Sequence, residues 1–131
     1  MPKIEIDKMM LARVEGRKLL FARTRGLDTF YSLGGKREPG ETDEQALVRE
    51  VLEEANVRID PATIKHVQTF EGPAPDGRWM RMTCYDAEFE GVMTPSSEIE
   101  EFKYLSSTDK QLTTQMGAML LDWFKEQDLI D

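Results

Sequence analysis

The sequence has 131 residues with a net charge of −8 at pH 7, and 40% of its residues are hydrophobic. This length fits a single domain, residues 1–131, with one hydrophobic core. The acidic balance argues against a nucleic-acid polymer as partner, because a phosphate backbone requires a basic surface. It leaves a phosphorylated small molecule open, since a divalent cation can lie between an acidic site and an anionic ligand.

The cysteine and hydropathy patterns bear on the cellular compartment. Cys84 is the single cysteine, so no intramolecular disulfide can form, and we expect it to be a small buried apolar residue. No run approaches the roughly 20 apolar residues of a membrane span, and no basic cluster precedes an apolar leader. We therefore expect a cytoplasmic protein with no membrane partner.

The first third of the chain is predicted to form strands. Apolar-rich runs at Ile4–Val14 and Lys18–Thr24 flank a turn at residues 15–17, which predicts a β-hairpin. A loop then leads to a short strand at Phe30–Leu33, which ends at two glycines. A Pro-Gly turn at residues 39–40 precedes the next element.

A helix is predicted to follow Thr42, which is a favourable N-cap residue. Asp43 and Glu44 place negative charge in the first turn, and Gln45 completes a capping box. The helix should end near Asn56, because asparagine tolerates the left-handed conformation at a helix C-terminus.

The second half of the chain is predicted to contain three strands followed by a helix. Strands are predicted at Lys65–Phe70, Trp79–Glu88 and Glu101–Leu105, and an amphipathic helix at Thr113–Glu126. Strands and helices mix without regular βαβ repeats. This order predicts an α+β fold with a mixed β-sheet sandwiched between α-helices.

The helix after Thr42 separates apolar and acidic residues when it is drawn at about 100° per residue. One arc carries the apolar residues Leu47, Val48, Val51, Leu52 and Ala55. The other side carries Glu50, Glu53 and Glu54 at spacings that place carboxylates on neighbouring turns. A solvated helix surface is one interpretation. A hard cation such as Mg²⁺, which prefers carboxylate oxygens, is the other.

The surrounding residues favour the second interpretation. Gly35 and Glu41, followed by the run from Arg49 to Val57, resemble the Nudix box, G-x5-E-x7-R-E-U-x-E-E-x-G-U, in which U is a bulky aliphatic residue. The last glycine of the pattern is replaced by Asn56. Many relatives also have Pro-Gly-Gly where this chain has Leu33-Gly34-Gly35. The resemblance implies a Nudix fold and cleavage of a diphosphate linkage.

The resemblance also implies a metal site. Glu50 and Glu54 would be the principal ligands, with Glu53 binding directly or through water, and the carbonyl of Gly35 contributing. The implied cofactor is Mg²⁺, with Mn²⁺ as a possible substitute.

Further site residues follow from the resemblance. Arg49 and Glu41 are expected to form a charge-assisted pair that orients the loop and the helix. The general base varies within the family, so that Glu53, Glu98 and Glu100 all stay candidates for activating water.

Basic residues near the box have two open interpretations. Arg23 and Arg25 lie at the end of a predicted strand, and Lys36 lies inside the box loop. Each is a candidate for binding substrate phosphates, as bidentate donors in the case of the arginines. Each is equally compatible with a solvated surface position.

The small size favours the MutT-like branch of the family. Its typical substrates are nucleoside triphosphates, oxidised ones included, which are converted to the monophosphate and pyrophosphate. ADP-ribose, dinucleoside polyphosphates and nucleotide sugars are alternatives, as is a non-catalytic nucleotide-binding or regulatory module on the same fold. A homodimer is possible, although the sequence indicates no interface.

Overall fold

The computed structural model describes residues 2–131. The strands are β1 (Ile6–Leu11), β2 (Val14–Glu15), β3 (Lys18–Thr24), β4 (Phe30–Tyr31), β5 (Gly34–Lys36), β6 (Arg58–Ile59), β7 (Lys65–Pro73), β8 (Trp79–Asp86), β9 (Phe89–Glu90) and β10 (Ile99–Leu105). The helices are α1 (Asp43–Ala55) and α2 (Gln115–Glu126), with 3-10 turns at Pro61–Thr63 and Ser107–Leu112.

The strands form three sheets. The main sheet has the order β5-β1-β8-β7, in which β1 runs parallel to β8 and the other neighbours are antiparallel. A second sheet has the order β10-β3-β2, with β4 also on β3, and a third consists of β6 and β9. The predicted α+β class with a mixed sheet is confirmed. The mixed arrangement is confined to the main sheet, because the parallel pair lies there.

The predicted hairpin is correct only at its tip. Val14 and Glu15 pair with the start of β3, but β1 leaves that sheet and pairs with β5 and β8 instead. The chain passes from the main sheet to the second sheet at residues 12 and 13. The Ala12 amide donates to the Tyr85 carbonyl of β8, whereas the Arg13 carbonyl accepts from the Leu20 amide of β3. Consecutive residues of β1 (Met9, Met10 and Leu11) are fully buried. A strand with both faces buried requires a central position, which a simple hairpin does not provide.

Helix α1 begins and ends where local signals predict. The Thr42 hydroxyl accepts from the Gln45 amide at 3.2 Å, and the Gln45 side chain accepts from the Thr42 amide at 2.9 Å. Asn56 adopts the left-handed conformation (φ 55°, ψ 34°), and its amide donates to the Leu52 carbonyl. The capping box and the asparagine C-cap are therefore both present.

The orientation of α1 differs from the helical wheel at two positions. Leu52, expected in the apolar arc, is 38% exposed, whereas Glu54, expected on the solvent side, is only 9% exposed. The buried apolar residues of the helix are Ala46, Leu47, Val51 and Ala55. The buried face is thus rotated toward Glu54, because that side chain is directed at β5 rather than at solvent.

The main sheet lies between the two helices. On the α1 side, Met9 packs with Leu47 and Val51, and on the α2 side, Met10 packs with Leu120. Neighbouring residues of one strand thus serve opposite cores, as strand geometry requires. Cys84 is fully buried on the α2 side, as predicted. Within residues 2–131, neither helix has the length and apolar character needed to cross a membrane.

Candidate active site

Strand β5 and helix α1 bring two glutamates against two consecutive glycines. The Gly34 amide donates a hydrogen bond to Glu54 Oε1 at 2.9 Å. A Cβ built on Gly35 would lie 2.7 Å from both carboxylate oxygens of Glu50. The Glu50 carboxylate therefore occupies the space that any larger residue at Gly35 would require.

Glu54 is in an unusual environment for a carboxylate. Burial raises the pKa of Glu54 to about 7, against the lowering effects of the Gly34 amide and Lys8, while Glu50 and Glu98 raise it further. The groups around Glu54 therefore do not fully stabilise its negative charge. A carboxylate that is costly to ionise is one whose ionised form a bound cation would stabilise.

Arg49 connects the loop before α1 to the helix. Its Nε donates to Glu41 Oε2 at 2.7 Å and its Nη2 to Glu41 Oε1 at 2.8 Å, which is the predicted pair in bidentate form. The same guanidinium donates to the Lys36 carbonyl at 3.0 Å and to Glu50 Oε1 at 2.8 Å. Hydrogen bonds from Arg49 lower the pKa of Glu41 to about 2. Arg49 thus fixes both the loop and the side chain of Glu50.

The three glutamates of the helix have different surroundings. Glu53 has a side chain that is 53% exposed, with an oxygen 3.6 Å from Arg49 Nη1. Glu50 is bound to Arg49 and Glu54 to Gly34, and within the described part of the chain no three His, Cys, Asp or Glu side chains are grouped at ion-binding spacing. The donor set is carboxylate oxygen, which fits a hard divalent cation, provided that Glu50 exchanges Arg49 for the ion.

The loop before β10 supplies a further carboxylate near α1. Glu98 is exposed and accepts a hydrogen bond from the Ser97 hydroxyl, which lowers the pKa of Glu98. The loop is tied to the helix, because the Ser96 amide donates to the Glu54 carbonyl at 3.0 Å. Glu100 lies farther along, 3.7 Å from Arg25 Nε. Glu98 is therefore the loop carboxylate whose charge acts on Glu54.

The predicted phosphate-binding residues do not lie together. Arg23 donates to Glu101 at 2.8 Å and to the Leu27 carbonyl at 3.0 Å, so that protein groups already occupy its guanidinium. Arg25 has a 68% exposed side chain near Glu100. Lys36 is exposed at the end of β5 and lines a cavity on the other side of the sheet.

That cavity, of about 330 Å³, lies between the main sheet and α2. Lys8 and Ser32 belong to its lining, although the sequence pattern did not single them out. Burial lowers the pKa of Lys8, while the charges of Glu54 and Glu50 oppose that effect. The available signal was a lysine that follows Asp7 in the apolar-rich strand β1. Lys8 thus lines the cavity and interacts through its charge with Glu50 and Glu54. Strand β5 contributes Lys36 to the cavity and its two glycines to the contacts with these glutamates.

The structure has a mixed sheet between two helices, and two glutamates of α1 contact the glycines of β5. This is the arrangement expected for the Nudix class. The family model described as the NUDIX domain matches residues 8–122. The chain therefore belongs to the Nudix family.

Individual relatives agree with this assignment. The NAD-capped RNA hydrolase NudC of Pseudomonas putida is 35% identical over 113 residues, covering 82% of this chain and 38% of that protein. The human 8-oxo-dGDP phosphatase NUDT18 is 35% identical over 72 residues, covering 55% of this chain and 21% of that protein. The chain thus spans well under half the length of these curated relatives.

Solved structures show the same fold. The solution structure of the E. coli ORF135 protein is 25% identical to this chain, with a TM-score of 0.74. The match covers 95% of this chain and 91% of that one. The similarity therefore extends over nearly the whole of both folds.

Proposed function

We propose that this protein is a divalent-cation-dependent hydrolase that cleaves a diphosphate linkage in a nucleoside diphosphate derivative. The observation that carries the proposal is the seating of Glu50 and Glu54 on Gly35 and Gly34, beside a cavity that shares β5. The leading substrate is a nucleoside triphosphate, oxidised ones included, giving the monophosphate and pyrophosphate.

The metal-binding residues in this proposal are Glu50 and Glu54, with Glu53 and the Gly35 carbonyl completing the set. Mg²⁺ is the expected ion and Mn²⁺ the substitute, because both accept carboxylate and carbonyl oxygens. When bound, the cation supplies charge neutralisation at the phosphoryl oxygens and an acidified water.

The chain's own residues position the substrate. Arg49, fixed by Glu41, holds the Glu50 carboxylate and the loop carrying Lys36. Lys36 contacts substrate phosphates from the edge of the cavity, and Arg25 does so from the loop side. Arg23 joins them only by releasing Glu101, so that it is the weakest of the three candidates.

Two exposed carboxylates are candidates for the base that takes a proton from the attacking water. Glu53 is next to Glu54 on the helix, and Glu98 acts on Glu54 from the opposite loop. Comparison of Glu53→Gln with Glu98→Gln decides between them. The base variant loses kcat by about 100-fold or more, whereas loss of the other carboxylate has a smaller effect.

The names of the relatives support diphosphate chemistry without selecting the substrate. NudC is named for an NAD-capped RNA and NUDT18 for 8-oxo-dGDP, and both ligands contain a diphosphate. A nucleotide at the end of an RNA is therefore a candidate beside free nucleotides. The net charge of −8 favours the free nucleotide, because a polymer backbone would meet an acidic surface.

The test is a screen of nucleoside triphosphates, ADP-ribose, dinucleoside polyphosphates, nucleotide sugars and NAD with Mg²⁺ or Mn²⁺, following release of phosphate, pyrophosphate and nucleotide products. Glu54→Gln should lower hydrolysis by orders of magnitude while the protein stays folded. Glu44→Gln removes the same charge from an exposed position of α1 and should retain activity. If the protein hydrolyses none of these substrates, the proposal is overturned in favour of a nucleotide-binding module.

A further inference from the structure

The inner part of the cavity contains hydrogen-bonding groups that the protein does not satisfy. Ser32 is 7% exposed and lines the cavity, yet its Oγ has no hydrogen-bond partner within residues 2–131. Lys8 Nζ donates to the Ser32 carbonyl at 3.2 Å. An ammonium has three donors, so two N–H groups of Lys8 remain without a partner among the described residues.

These unused groups indicate a ligand. A buried polar group without a partner costs free energy, and buried hydroxyls are normally paired. The two groups differ in what they require. The Lys8 ammonium can only donate, whereas the Ser32 hydroxyl can donate or accept. The matching ligand has an acceptor atom for Lys8 and an adjacent polar atom for Ser32.

The walls of the cavity restrict the type of ligand. Ile6, Met80, Met82 and Leu120 supply apolar surface, and the volume of about 330 Å³ is in the range of small-molecule sites, roughly 300–1,000 Å³. The lining also includes charged side chains, Lys36 and Arg78 among them, so that the apolar part of the cavity is the part that suits the faces of a planar ring. The phosphates of a nucleotide belong at the glutamates of α1, on the other side of β5. The base therefore belongs in the cavity.

We infer that Lys8 and Ser32 recognise the keto edge of a nucleobase, an inference that rests on the proposed function. A carbonyl oxygen of the base accepts from Lys8 Nζ, and the neighbouring ring N–H donates to Ser32 Oγ. Guanine, uracil and thymine present this carbonyl and N–H side by side. Adenine and cytosine present an amino group where Lys8 needs an acceptor, so that two donors meet.

Selectivity between these bases follows from the pairing rules. A site that is built to hydrogen-bond a substrate group discriminates strongly against an analogue that leaves its buried groups unpaired. A hydrogen bond from a charged donor corresponds to a preference on the order of 10- to 100-fold. We expect kcat/KM for GTP and UTP to exceed that for ATP and CTP by this factor.

The decisive variant is Lys8→Met, which keeps an unbranched side chain and removes the donor. We expect it to lower kcat/KM for GTP and UTP toward the values for ATP and CTP while remaining folded. Ser32→Ala should weaken the same preference less, because a neutral hydrogen bond is weaker than a charged one. Lys65→Met, at an exposed lysine on β7, is the matched control and should retain the wild-type preference.

Binding measurements separate this inference from the proposed function. Calorimetric titration of GMP, UMP, AMP and CMP into wild type and Lys8→Met requires no hydrolysis. A keto preference that Lys8→Met abolishes supports the inference even if no substrate is cleaved. The inference is overturned if the wild type shows no keto preference or if Lys8→Met retains it. It is also overturned if Lys8→Met weakens all four equally and inorganic pyrophosphate displaces them, since Lys8 would then bind phosphate.

Discussion

Gly35 has no side chain where the carboxylate of Glu50 requires space, since a Cβ at Gly35 would lie 2.7 Å from both Glu50 oxygens. Gly35→Ala should therefore displace Glu50 and lower kcat by about 100-fold, because small misplacements of reacting groups have effects of that size. Steady-state kinetics with Mg²⁺, together with a denaturation midpoint to verify folding, measures this effect.

Gly72→Ala is the control for Gly35→Ala. The new Cβ would lie 2.5 Å from the Met116 sulfur, in the core on the α2 side of the sheet. We expect some loss of stability with little change in kcat, because a flexible methionine can move. Wild-type turnover in Gly35→Ala would show that the position of Glu50 does not matter for catalysis.

Addition of Mg²⁺ or Mn²⁺ should stabilise the protein against thermal unfolding. An ion that binds only the folded state at 100 times its Kd contributes about 2.7 kcal/mol. Glu50→Gln and Glu54→Gln should lose most of the increase in Tm, whereas Glu44→Gln should keep it. Differential scanning calorimetry with and without the ion measures the shift, and equal shifts in all three variants would rule out the proposed ligands.

The pair of Glu41 and Arg49 should contribute stability that depends on pH in acid. The pKa of Glu41 is lowered from 4.5 to about 2, so that the unfolded state binds a proton at higher pH than the folded state. The contribution is therefore present above about pH 4.5 and lost as the pH falls toward 2. Urea midpoints of wild type and Glu41→Gln should differ at pH 6 and converge near pH 2. If the difference between the two urea midpoints increases as the pH falls, the Glu41–Arg49 pair is not the source of this stability.

Asn56 ends α1 in the left-handed conformation with φ 55°. Asn56→Ala should destabilise the protein by about 1 kcal/mol, because alanine tolerates the left-handed conformation less well than asparagine does. Asn56→Gly should stay within about 0.5 kcal/mol of wild type, since the relief of strain is offset by a more flexible unfolded chain. Urea denaturation of the three proteins measures both differences. If the alanine variant is as stable as wild type, the conformation of residue 56 carries no strain.

The parts of this protein that could be predicted from its sequence depend on interactions over a few residues. The start of α1 follows from Thr42 and Gln45, which bond to each other's backbone, and its end follows from Asn56. The pair of Glu41 and Arg49 also lies within one loop and helix. The spacing of the box residues identified the family for the same reason. All of these residues lie within one strand, the loop that follows it and one helix with its C-terminal end.

The remaining features depend on groups that are distant in the chain. The hairpin prediction for β1 was wrong along most of its length, because β1 pairs with β5 and β8 in the centre of the main sheet, where Met9 and Met10 pack into the cores on its two faces. Glu54 is buried rather than solvated because α1 packs onto the strand that carries the Gly34 amide. Lys8 lines a cavity that forms only when α2 covers the sheet. Periodicity describes the faces of one element, whereas burial is set by the second element that packs against it.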